Sequence, residues 1–194
     1  MAASTASAKD SERIPPGQTL TKLFPVLHAG RMPDVPLDTW RFKVFGMVKS
    51  PKEFTWDQMM ALPRRSLRTD IHCVTGWSKL DTDWEGVPTS AIWERIEPLE
   101  GVTHVMVHAR PDFTTNLAVE DFLSPDCLFA HRFAGEPLEA VHGGPMRLVV
   151  PHRYFWKSAK WVSGLELMAA DRPGYWEDRG YHMQGDPWRE ERYW

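Results

Sequence analysis

Cysteine is nearly absent from this sequence, with two in 194 residues, Cys73 and Cys127. Two thiols make at most one disulfide, so a framework of several bridges is excluded and the reducing cytoplasm is the expected compartment. No apolar run approaches the roughly 20 residues that a membrane-spanning helix needs. The opening MAASTASAKDSERIPPG has no apolar stretch behind a basic one, which argues against a secretory leader. Residues 1–18 read as a polar, disordered N-terminal arm. Excess charge is lacking too: 23 Lys and Arg stand against 26 Asp and Glu, a formal net charge of -3, so there is no basic field for nucleic acid. HExxH, CxxC, GxGxxG and a Walker loop are all missing, which weakens the familiar zinc, dinucleotide and mononucleotide readings.

What is present is a globular composition, 42% hydrophobic and 25% charged, with 10 Trp, 16 Pro and 13 Gly. Many turns and few long helices follow from the last two figures. Trp40, Phe42 and Val44 alternate with Arg41 and Lys43, which predicts a half-buried strand closed by Gly46. Thr55-Trp-Asp-Gln58 fits a capping box opening a short helix from Trp56 to Leu62, stopped by Pro63. A second helix is expected over Ser90–Ile96, before Pro98, and a helical turn over Glu120–Leu123. His104–His108, Leu128–Phe133, Met146–Val150 and Trp161–Met168 read as strands, with Gly135-Glu-Pro137 turning the second of them. The sum is α+β with an excess of strand. The last 24 residues carry ten charged and six aromatic side chains; so many aromatics predict a tail packed on the domain.

Three features carry chemistry. Cys73, in Ile71-His-Cys-Val-Thr-Gly-Trp77, reads either as a buried packing thiol or as a thiolate ligand or nucleophile. Cys127, beside Leu128 and Phe129, reads as packing. The segment HGGPMRLVVPHRYFWKSAK, residues 142–160, gathers Arg147, Arg153, Lys157, Ser158 and Lys160 around glycine turns, either as an oxyanion cradle or as a solvated basic loop. Trp77, Trp84, Trp93, Trp156, Trp161, Trp176 and Trp188 are either core or the walls of a pocket for a flat heterocycle.

A cysteine followed about 70 residues later by a His-Gly-Gly-Pro-x-Arg turn and a Lys-Ser-x-Lys-Trp loop resembles the molybdopterin-binding domain of the sulfite oxidase family, in its small bacterial form. The resemblance runs from about Phe24 through FPVLHAGRMPDVPLDTWRFKVFG, HCVTGWSKLDTDWEGVP, AGEPLEAVHGGPMRLVVP, KSAKWVSGLEL and the aromatic tail. It implies the sulfite oxidase-type fold, mixed sheets with small barrel-like strands and short helices. The molybdopterin-binding domain would span residues 19–170, with the tail, 171–194, packed on it. It implies a molybdenum-molybdopterin cofactor and two-electron oxygen-atom transfer on a small oxyanion or an S- or N-oxide. By position, Cys73 is the metal ligand; His28, His142, Arg147, Ser158 and Lys160 bind the cofactor; Tyr181 faces the substrate. A further cofactor contact is expected near Ala109 to Asp112, and Arg179 and His182 are candidates for substrate selectivity.

Two departures stand out. Family sulfite oxidases carry an arginine five residues after the metal cysteine, where this chain has Ser78. The arginine of their N-terminal loop has no counterpart in Pro25-Val-Leu-His28. The expected partners are a small-molecule substrate and a separate redox protein, without nucleic acid or a membrane span. The alternative is a non-enzymatic molybdopterin carrier; a metal hydrolase using His and Cys73, and an interaction module, are weaker competitors.

Overall fold

Strand alternation places the first central strand. In the computed structural model, which describes residues 8–194, β2 covers Arg41–Gly46, after a helical turn α1 (Ala8–Ser11) and the two-residue β1 (Thr19–Leu20). Phe42 and Val44 are fully buried while Lys43 faces solvent, as period two requires. The chain continues through β3 (Lys52–Thr55), α2 (Trp56–Met60), β4 (Arg65–Cys73), β5 (Trp77–Pro88) and α3 (Thr89–Trp93). It then forms β6 (His104–Ala109), β7 (Phe113–Ala118), α4 (Val119–Phe122), β8 (Leu128–Phe133), β9 (Glu136–Pro137), β10 (Arg147–Val149) and β11 (Val162–Met168).

The capping box forms: Thr55 Oγ1 accepts from the Gln58 amide, and Gln58 Oε1 accepts from the Thr55 amide. The α2 and α3 helices each end earlier than their sequence suggests, because the last residues tighten into i→i−3 bonds, from the Leu62 amide to the Met59 carbonyl and from the Ile96 amide to the Trp93 carbonyl. The turn after β8 falls at Ala134 and Gly135, both at positive φ, so that Glu136 and Pro137 pair back as β9.

Two sheets result. One runs β3-β2-β11-β6-β7, with β2 parallel to β11. The other is built on the long β5, which pairs with β4 on one side and with β1 and β8 on the other; β8 then carries β9 and β10. Both are open, so the barrel-like strands implied by the resemblance are not a closed barrel among the described residues. The main core, with Phe42, Val44, Val107, Phe129, Leu148 and Leu165, fills the space between the sheets. Leu128, Ala130 and Val149, their strand neighbours, point to the opposite face and form a second cluster with Ile71 and Trp84. The second sheet is thus buried on both faces, which is why Met146–Val150 is apolar on both sides of the strand apart from Arg147. No helix of the described residues is long and apolar enough to cross a membrane.

The arm expected over residues 1–18 lies outside the described residues up to position 7; from Ala8 it has defined structure. Arg13 pairs with Asp70 and Asp81 across the β4–β5 hairpin, and β1 adds to β5 in parallel. Composition alone undervalued it, because one guanidinium between two carboxylates docks a polar segment that buries little more than Pro15 and part of Ile14. The tail covers the edge strand β7: the Tyr175 amide donates to the Thr114 carbonyl, and Glu177 reaches Thr115.

Candidate active site

The β4–β5 hairpin turns through Cys73-Val-Thr-Gly-Trp77. Gly76 sits at φ +95°, a conformation that suits glycine, and its amide closes the turn on the Cys73 carbonyl at 3.0 Å. Cys73 Sγ is thereby presented to a cavity of about 330 Å³. The sulfur is 8% exposed as a residue and accepts one hydrogen bond, from Thr75 Oγ1 at 3.1 Å. Burial pushes its thiol pKa up, against the opposing pull of Thr75, Arg192 and Lys160.

The opposite wall is the segment from η-turn Ala140–His142 to Trp161. Gly143 and Gly144 let it fold tightly: a Cβ on Gly143 would sit 3.0 Å from the Cβ atoms of both Arg147 and Lys160, and one on Gly144 would sit 2.1 Å from the Leu138 carbonyl oxygen. Gly144→Ala is therefore expected to cost about 2–4 kcal/mol in a denaturant titration. A loss below about 0.5 kcal/mol would show that this turn yields freely.

Arg147 is 1% exposed, and its donors go only to carbonyls: Leu148 at 3.3 Å, His142 at 2.8 Å and Ser158 at 2.7 Å. Its guanidinium also lies 4.2 Å from the Phe155 ring. Lys160 Nζ donates to the Val141 carbonyl at 2.7 Å. Neither cation pairs with a carboxylate among the described residues. The consequences are electrostatic. Burial lowers Arg147 to about 9, and burial together with the Arg147 charge lowers Lys160 to about 7. Ser158 Oγ accepts from the Val150 amide at 2.9 Å, leaving its O–H to donate into the cavity.

His28 lines the cavity from an exposed loop, its ring 5.6 Å from that of Trp161. His142 stands just behind the wall, stacked at 3.9 Å on Phe24, which does line it. Its Nδ1 is buried without a hydrogen-bond partner, and burial with the charges of Lys160 and Arg147 lowers its pKa. Tyr181 lines the cavity between Trp156 and Trp176, at 5.1 and 4.9 Å. Burial, the Tyr193 phenol and Cys73 raise its pKa, so it stays a donor at neutral pH.

The structure thus gathers Cys73, His28, Arg147, Ser158, Lys160 and Tyr181 around one cavity, with His142 supporting it from behind. It removes others. Arg153 is neutralised by Asp121 and Lys157 by Glu177, so neither belongs to the oxyanion cradle. Arg179 lies over the Tyr175 ring at 3.7 Å and is exposed, while the His182 ring accepts from the Gln184 and Gly185 amides. Neither lines the cavity. Ser78 points to the other side of the hairpin, bonded to His72 Nδ1 at 2.8 Å. Near Ala109 to Asp112, it is the next residue, Phe113, that reaches the cavity. Of the seven tryptophans considered, Trp77, Trp156, Trp161 and Trp176 line it. Sequence reasoning missed Phe24 and Phe155; the signal available was their place beside His28 in FPVLH and beside Ser158 in RYFWKS. Cys127 is buried in the main core, and both thiols are free.

A soft thiol, two cations without carboxylate partners and flat aromatic walls around one cavity suit a metal-bearing, anionic heterocycle. An anionic group would answer Arg147 and Lys160 together, and the unpartnered His142 nitrogen stands just behind the same wall. With the two-sheet α+β fold, this is the class of molybdopterin-binding oxidoreductases.

The chain belongs to that family: the model for the oxidoreductase molybdopterin binding domain matches residues 29–176. It is 44% identical over 190 residues to a Bacillus subtilis protein named uncharacterized oxidoreductase YuiH, covering 97% of this chain and 96% of that one. It is 26% identical to the protein-methionine-sulfoxide reductase catalytic subunit MsrP of Ralstonia nicotianae, over 80% of this chain and 50% of the relative. It is 29% identical to a putative protein-methionine-sulfoxide reductase subunit, YedZ1, of Azospira oryzae, over 78% of this chain and 58% of that one. The chain thus spans about half the length of these two relatives. The crystal structure of the sulfane dehydrogenase SoxCD from Paracoccus pantotrophus superimposes with a TM-score of 0.66 over 72% of this chain and 40% of that one, at 20% identity, a likeness of fold. The protein is an oxidoreductase, and its cofactor is molybdenum-molybdopterin.

Proposed function

We propose that the protein reduces a small S-oxide by two-electron oxygen-atom transfer, drawing electrons from a separate redox protein. The observation that carries this reading is one cavity holding the Cys73 thiol, two cations without carboxylate partners, and the Tyr181 phenol. Cys73 would ligate the metal through its thiolate. Arg147, Lys160 and Ser158 would hold the phosphate end of the pterin, with His28 and His142 along its length. When bound, molybdenum-molybdopterin supplies the two-electron exchange of an oxygen atom. Tyr181 orients the substrate by donating its O–H to the oxygen that is removed. Trp156 and Trp176 flank it and exclude water from that side.

The charge distribution supports a sulfoxide over sulfite. Arg147 and Lys160 are engaged by the cofactor in this reading, Ser78 is turned away, and Arg179 lies outside. No further described cation lines the cavity for an anionic substrate. A neutral, strongly dipolar S–O group needs one donor, and Tyr181 provides it. The sulfoxide reductase names of two relatives agree with this direction. The balance is a sulfoxide with two electrons and two protons giving a sulfide and water.

The direct test uses the metal-loaded protein with a reduced viologen as donor and methionine sulfoxide as acceptor. Donor oxidation matched by sulfide formation is expected. Turnover of sulfite with ferricyanide, and none of sulfoxide, would overturn the reading.

The anion end can be probed separately with sulfate, a dianion throughout the range concerned. With a folded pKa of about 7, Lys160 is charged below that pH and neutral above it. Sulfate affinity of the cofactor-free protein should therefore fall as pH rises from 6 to 8.5, by about 10-fold. Arg147→Ala should abolish binding. Calorimetry showing a pH-independent affinity, or binding unaffected in Arg147→Ala, would remove the anion site from this wall.

A further inference from the structure

The turn that presents Cys73 is held by parts of the chain remote from it. Gln18 Nε2 donates to the Cys73 carbonyl at 3.1 Å, and the Thr19 amide donates to the Gly76 carbonyl at 2.8 Å. Arg192, 118 positions further along, donates through Nη1 to the Val74 carbonyl. Its Nη2 reaches the Gly17 carbonyl at 3.5 Å, and its guanidinium lies 5.1 Å from the Tyr154 ring. The carbonyls of residues 73, 74 and 76 thus each take a donor from the arm or the tail.

Arg192 differs from the other two clamps because it brings a net charge. Its donors end on two backbone carbonyls and an aromatic face rather than on a carboxylate; Glu190 stands beside it at Gly17 without forming an ion pair with it. Its own backbone is fixed: the His182 amide donates to the Arg192 carbonyl at 3.2 Å, and the next residue, Tyr193, bridges to Tyr181. The carbonyl that accepts from Arg192 Nη1 belongs to Val74, the residue next to Cys73. Arg192 is not among the described residues that line the cavity.

We propose that Arg192 is a positioning residue for Cys73, holding the turn through Val74 and placing a fixed positive charge behind the metal-binding sulfur. This rests on Cys73 being the metal ligand. It also gives Ser78 a counterpart: the charge that does not come from the hairpin strand comes from the tail. A cation beside a metal–thiolate unit favours the more reduced state, so its removal should lower the potential.

The experiment is redox potentiometry of metal-loaded R192Q and R192K, followed through the sulfur-to-metal charge-transfer absorption, with C73S as control. R192Q should bind wild-type metal and show a potential shifted to lower values. R192K, which keeps the charge, should restore it. A wild-type potential and absorption in R192Q, with only a lower melting temperature, would overturn the proposal and leave Arg192 as a pin for the tail. A charge-transfer spectrum in C73S identical to that of the wild type would instead refute the Cys73 reading. Should R192Q and R192K both fail to load, amide hydrogen exchange of the unloaded proteins decides. Gly76, whose amide closes the turn, should exchange about 10-fold faster in R192Q than in the wild type. Unchanged exchange at Gly76 would overturn the proposal.

Discussion

Cys73→Ser is expected to yield a folded protein that has lost its metal–thiolate absorption and its oxygen-transfer activity, by more than about 100-fold. The side chain is small, buried and bonded only to Thr75, so a hydroxyl fits the same space with little loss of stability. Its chemistry does not fit. A soft thiolate matches a metal already held by the sulfurs of a pterin dithiolene, whereas an alkoxide is hard and forms only at much higher pH. Cys127→Ser separates this from a general effect of removing a thiol. Cys127 lies in the main core with its Sγ on the Asp121 carbonyl, and burial pushes its pKa far up. That variant should keep its metal and its turnover. Metal analysis, pterin fluorescence after oxidation and the viologen assay measure all three quantities. Wild-type metal, absorption and turnover in Cys73→Ser would end the assignment.

Glu177→Ala is expected to destabilise the protein by about 3–5 kcal/mol. Lys157 and Glu177 form an ion pair of 2.6 Å with both side chains 0% exposed. Lys157 Nζ also donates to the Asn116 carbonyl and to Asn116 Oδ1, and Glu177 Oε1 accepts from Trp156 Nε1 at 2.8 Å. Removing the carboxylate leaves a buried ammonium hydrogen-bonded only to Asn116, with Asp171 acting from beyond it, and a tryptophan donor without its acceptor. The pair also joins the two halves of the site. Lys157 lies between Trp156 and Ser158, and Glu177 follows Trp176, so three cavity-lining residues are set by one contact. Urea titration should show the loss, and limited proteolysis should release the tail from residue 171 onward. Lys157→Met combined with Glu177→Leu should recover most of the stability, since two apolar chains need no partner there. A loss under about 1 kcal/mol in Glu177→Ala would mean that the tail is held by its backbone contacts instead.

Much of this was legible in the sequence wherever a local rule decides the outcome. The alternation around Phe42 and Val44, the Thr55–Gln58 capping box, the apolar strand Leu128–Phe133 and the aromatic tail each carry their reason within a few residues. The β4–β5 hairpin did not. Its strands, RSLRTDIHC and WSKLDTDWEGVP, are rich in charge and slip register between Thr69 and Ile71, so no clean period survives in either. Strand β7 was hidden for another reason. Thr115 and Asn116 look like a polar loop until the tail and Lys157 supply their hydrogen bonds.

By itself the sequence determined the residue types of the site and their order: a cysteine in a glycine turn, a His-Gly-Gly-Pro-x-Arg segment and a Lys-Ser-x-Lys loop. These three, with the FPVLH loop before them and the aromatic tail after them, were enough to place the chain in its family. Only the tertiary structure decided which charges remain available. Arg147, Arg153, Lys157 and Lys160 are alike in sequence, yet Asp121 and Glu177 neutralise the middle two from 32 and 20 positions away. A charge's effect depends on the distance to its partner and the dielectric between them, and both are set when remote segments pack together. For the same reason the arm and the tail, the least regular parts of the sequence, end as the clamps on the turn that carries Cys73.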